Sequence, residues 1–125
     1  MRYLMMVKAT RESEAGAPPD PALMEAIGKL AEESFRSGVL VQMEGLTPSA
    51  RGARVRLSRG KLSVTDGPFS EAKELVGGLA IIQADSREEA IEIGRRFMQV
   101  HADVLGPSYE GELEVRELVG PPPSQ

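Results

Sequence analysis

At 125 residues the chain is long enough for one core and too short for two, since domains commonly run to roughly 100–150 residues. It has no cysteine and a single histidine, which excludes disulfides, thiolate nucleophiles and cysteine- or histidine-rich metal centres; no metal and no cofactor is expected. A formal charge of −4 argues against general nucleic-acid binding, and 41% hydrophobic with 27% charged residues is an ordinary globular composition.

Arg2 to Ala9 reads as a strand, with Tyr3, Met5, Val7 and Ala9 on one face and Leu4 and Met6 on the other. This apolar run lacks a signal-peptide pattern, and no segment approaches the roughly 20 apolar residues that span a bilayer, so a cytoplasmic protein without membrane contact is expected. "RESEAGAPPD" reads as a loop. Asp20 followed by Pro21 then starts a helix, with Leu23, Ala26, Ile27 and Leu30 on one face and Glu25, Lys29, Glu32, Glu33 and Arg36 on the other, and Gly38 ends it. Val39 to Gly45 is a second strand. Ala53–Leu57 and Leu62–Thr65 form a hairpin turning near Arg59 and Gly60. "LAIIQAD" is a further strand, apolar on both faces; Ser86 and Glu89 form a capping box that opens a second helix, and "ELEVRELV" alternates as the last strand.

Two helices cover only one face of such a sheet, so a face expected to carry Leu4, Met6, Ala80 and Ile82 is left bare and calls for a partner. The order predicts an α+β fold, a ferredoxin-like split βαβ sandwich with an added hairpin, as one domain over residues 1–119 followed by a flexible proline-rich tail at 120–125. A homodimer packed sheet to sheet would enclose a cavity suited to a small-molecule ligand.

The stretch "TDGPFSEAKELVGG" is a built corner: Asp66 can bond nearby amides, Gly67 and Pro68 set the turn, Phe69 is placed by it, and Gly77 with Gly78 lets the chain re-enter the sheet close to another backbone. "DGPF", Glu71, "KE" at Lys73 and Glu74, "GG" at Gly77 and Gly78 and the "DSREEA" helix start together resemble the DGPF branch of the YciI-related (YCII) family, over nearly the whole chain. The resemblance implies a dimeric α+β barrel with a ligand or active site near the signature loop, and a bacterial setting in which many members are encoded beside extracytoplasmic-function sigma factors. Some members are thought to pair a histidine of the first helix with an aspartate as acid and base; here Ile27 stands on that helix's inward face instead.

His101 is the only candidate proton carrier near neutrality, as a helix-end residue packed on the core or as a partner of Asp66. Asp66 itself reads as a turn cap or a general base, and Lys73 as an anion-stabilising cation. Tyr3, Gly67, Pro68 and Phe69 are candidate ligand contacts. Arg54 and Arg56, opposite Val55 and Leu57 on the hairpin, join them only where a partner subunit closes over them. Three functions follow: a small-molecule-binding dimer with its pocket near the corner, an acid/base lyase or isomerase using Asp66, Lys73 and His101, and a regulatory partner of a sigma factor.

Overall fold

The computed structural model describes residues 1–71 and 74–120. Its elements in chain order are β1 (Arg2–Lys8), α1 (Arg11–Glu14), α2 (Pro21–Arg36), β2 (Leu40–Gly45), β3 (Ala53–Ser58), β4 (Lys61–Asp66), β5 (Val76–Gln83), α3 (Arg87–Leu105) and β6 (Leu113–Glu117). Four strands form one antiparallel sheet in the order β2-β5-β1-β6. Two βαβ units, β1-α2-β2 and β5-α3-β6, are therefore interleaved, each receiving a strand of the other between its own two: the split arrangement of the ferredoxin-like fold. β3 and β4 form a separate two-stranded sheet.

The helix ends follow their local chemistry. Asp20 accepts from the amides of Ala22 and Leu23 at 2.8 and 3.1 Å, Pro21 needs no donor of its own, and Gly38 beyond the last turn takes φ +84°. Ser86 accepts from Glu89 N–H at 3.1 Å, so the cap forms from the serine side. The hairpin turns on Arg59 and Gly60, both at positive φ, as a two-residue turn matched to strand twist requires. A four-residue helix, α1, replaces the loop expected over "RESE": Thr10 and Ser13 cap it reciprocally, with serine in the place a glutamate usually signals.

The register corrects one assignment of faces. Tyr3 pairs with Ile82 and Met5 with Ala80, so Ala80 and Ile82 share the helix-covered face with Tyr3 and Met5; Leu4 pairs with Ile81 and Met6 with Leu79, and these four line the open face. The expectation that Ala80 and Ile82 lie bare is thus one residue out of phase, because a strand apolar on both sides carries no periodicity to fix its orientation. The core is Tyr3, Met5, Leu40, Ala80, Ile82, Ala84 and Ala90. Gly77 and Gly78 do permit close re-entry: a Cβ on Gly77 would lie 3.2 Å from Ala9 Cα, and one on Gly78 3.3 Å from Glu44 O. Of the expected tail, residues 121–125 lie outside the described residues.

Candidate functional site

The two helices stand on the sheet differently, and that difference makes a cavity. Gly94 of α3 has no side chain, and a Cβ there would meet Leu113 Cδ2 at 3.0 Å and Val115 Cγ2 at 3.5 Å, so α3 lies directly on β6 and β1. α2 buries only Ile27. Beneath it the sheet is low at one end, because Gly45 pairs with Gly78 across β2 and β5 and Ala80 follows, opposite Met43. A cavity of about 990 Å³ results, walled by Met5, Ile27, Leu30, Ala31, Met43 and Ile93 among others. That is the size of a site for a small organic molecule, and its surface is mostly apolar, with charged and polar side chains at its margin.

His101 lines this cavity with Phe97, Leu105 and Tyr109. It sits on the buried stripe that Ala90 and Gly94 begin, and only 6% of it is exposed. Its Nδ1 lies 3.0 Å from the Phe97 carbonyl oxygen, one turn back in the helix. The Phe97 ring meets the imidazole edge-on at 4.9 Å between centroids, and Tyr109 stacks on it at 5.4 Å. Tyr109 gets there because Gly111 leaves room: a Cβ on that glycine would overlap the phenol ring. Burial raises the Tyr109 phenol above its ordinary pKa, so it stays a protonated hydroxyl rather than a base.

The remaining sequence-predicted residues lie elsewhere. Tyr3 belongs to the core rather than to the cavity wall, and burial, followed by the carboxylates of Glu117 and Glu88, raises its phenol. Asp66 is exposed at the end of β4, on the hairpin face shared by Val64 and Leu62, and among the described residues its carboxylate accepts no hydrogen bond. The corner is held instead by Ser49, whose Oγ accepts from Phe69 N–H at 3.0 Å and donates to the Glu14 carboxylate, while Ser49 N–H donates to the other Glu14 oxygen at 2.9 Å. Gly67 precedes the cis bond to Pro68 and passes so close to the Ser49 carbonyl that a Cβ would overlap it. Arg54 stacks on Phe69, guanidinium carbon 3.8 Å from the ring centroid. Arg56 is exposed on the same hairpin face as Arg54. Lys73 lies outside the described residues.

The structure therefore joins Arg54 to Phe69 and Ser49 to the corner, but it brings neither Asp66 nor the arginines into the wall of the cavity that holds His101. Sequence reasoning passed over Ser49, Glu14 and Tyr109. Tyr109 had a signal of a kind, being one of only five aromatic residues and standing alone in a polar loop. No group of three His, Cys, Asp or Glu side chains converges as a metal site among the described residues, and no described helix is long and apolar enough to cross a membrane.

Comparison with known proteins gives two uncharacterized relatives. One, protein R00369 of Rhizobium meliloti (strain 1021), is 29% identical over 99 residues, spanning 79% of this chain and 75% of its own. The other, YjpA of Bacillus subtilis (strain 168), is 49% identical over 51 residues, 41% of this chain and 49% of its own. The model of the YCII-related domain matches residues 1–106, and on that match the chain belongs to the YCII-related family.

Proposed function

We propose that the protein binds a small organic molecule in the cavity between α2, α3 and the sheet. The observation that supports this is a largely apolar cleft of about 990 Å³ whose wall includes a buried histidine and two further aromatic rings. The acid/base enzyme reading has less support: of Asp66, Lys73 and His101, only His101 lines the chamber among the described residues. A sigma-factor partnership draws on the family resemblance alone. Native mass spectrometry of protein isolated from its own cells tests the binding reading. A noncovalent adduct that leaves on denaturation is expected; protein free of adduct, and unresponsive in melting temperature to a library of small aromatics, would refute it.

The binding unit in this reading is a homodimer. Two apolar surfaces support it: the open sheet face with Leu4, Met6, Leu79 and Ile81, and the hairpin face with Val55, Leu57, Leu62 and Val64, each 67–72% exposed. An isolated hairpin is marginal in water, so a cover for its apolar side adds stability. Five of the fifteen basic residues and none of the nineteen carboxylates fall between Arg51 and Lys61, giving a basic arm on an acidic body that a second copy complements. Light scattering should return roughly twice 13.5 kDa, and Leu62→Glu should shift the mass toward the monomer; a monomeric wild type refutes the assembly.

A further inference from the structure

Resting on the cavity as the ligand site, we infer that its ligand is an aromatic alcohol of the phenol type, neutral when bound, whose hydroxyl donates a hydrogen bond to Nε2 of His101. The tautomer comes first. Nδ1 is 3.0 Å from the Phe97 carbonyl oxygen, and a carbonyl oxygen can only accept, so Nδ1 carries a proton; in the neutral imidazole the lone pair is then on Nε2. Among the described residues every fully buried side-chain nitrogen or oxygen has a partner, whereas Nε2 has none, so Nε2 must reach accessible space. His101 is a cavity-lining residue with only 6% of its surface exposed, and the accessible space it meets is the cavity. An acceptor held in an apolar chamber strongly favours a guest that brings a donor, because a guest without one strips its water and returns nothing.

The surroundings narrow the donor's chemistry. Phe97 and Tyr109 pack against the imidazole at 4.9 and 5.4 Å between centroids, and all three rings line the cavity, which gives a flat aromatic guest an aromatic wall to lie against. The cavity margin carries the carboxylates Glu12, Asp20, Glu33, Glu44 and Glu110 against the cations Lys8 and Arg96, and Lys8 is already paired with Glu114 at 3.4 Å. That balance disfavours a carboxylate or phosphate guest. The same carboxylates would hold an ammonium at the margin, whereas beside Nε2 it would exchange its hydration for one neutral acceptor. A neutral hydroxyl on an aromatic ring meets every condition.

The test titrates the full chain with para-propylphenol, its methyl ether and para-propylbenzoate by calorimetry. The phenol should bind about tenfold tighter than the ether or the benzoate, the size expected for one hydrogen bond to a buried acceptor. His101→Phe should reduce phenol binding to the level of the ether and leave the ether unchanged. Equal binding of phenol and ether, or tightest binding of the benzoate, overturns the inference while the cavity reading stands; binding of none of the three overturns both. Since His101 is the only histidine, its imidazole nitrogens can also be read by NMR in the wild type, independently of whether the variant folds. The Nδ1–H tautomer, with an Nε2 signal moved by the phenol and not by the ether, is the expected result, and an Nε2–H tautomer overturns the assignment.

Discussion

α3 and α2 lie side by side on one sheet, yet the first is packed and the second stands off. α3 turns Ala90 and Gly94 toward β1 and β6, where a methyl group more would already press on Leu113. α2 turns Leu23, Ile27 and Leu30 toward β2 and β5, over a floor that the Gly45–Gly78 pair keeps low. Small residues on the helix bring the layers together in one half, and small residues on the strands leave them apart in the other. Where glycine sits, on the helix or under it, decides between core and chamber; the stability of the fold is concentrated in the α3 half and its capacity for a ligand in the α2 half.

The largest effect should come from filling the tight half. Gly94→Val would push a branched side chain into Leu113 and Val115 and should cost about 2 kcal/mol in chemical denaturation; a cost under half of that would mean α3 is not packed as described. Next is the anchoring of α2, which depends on its cap more than on buried area. Asp20→Ala removes the acceptor for the Ala22 and Leu23 amides and should cost about 1 kcal/mol. An unchanged melting curve would show that packing, not capping, holds the helix.

Filling the open half should be nearly free. Ala31→Leu adds volume at the cavity wall and should change stability by no more than about 0.5 kcal/mol while weakening any bound aromatic several-fold. A loss comparable to that of Gly94→Val would erase the contrast between the halves. The smallest effect is electrostatic and belongs to the β1–β6 edge of the packed half. Hydrogen bonds from Arg116 and then Lys8 hold the half-buried Glu114 carboxyl below its usual pKa. A lowered folded pKa means stability that is present above the pH at which an unfolded glutamate ionises and is lost as pH falls through the folded value. The small advantage of wild type over Glu114→Gln should therefore fade on acidification; an advantage that grows instead would reverse the assignment.

Much of this architecture is legible in the residues. Asp20-Pro21, Ser86 and Arg59-Gly60 mark their helix starts and turn because capping and positive-φ chemistry act within a few residues. His101 is legible too, as a member of the α3 stripe, and so is the doubly apolar β1. What is not legible depends on distant pairing. The low floor exists only because Gly45 meets Gly78 across the sheet, and the corner is held by Ser49 and Glu14, which are 35 residues apart. The phase of β5 escapes for another reason: Leu79 to Ile82 are all apolar, and alternation cannot be read where every residue is of one kind. The Asp66 corner drew attention as a site because its composition is unusual, but unusual turn chemistry marks a shape before it marks a reaction.

The most direct test of the contrast between the halves is diffraction from crystals under xenon pressure, since xenon enters apolar space without needing a polar partner. Xenon density is expected between Ile27, Met43 and Ala80, beneath α2, and none between Gly94 and Val115, beneath α3. Crystals in which α2 rests on the sheet and the space beneath it takes up no xenon would contradict the contrast.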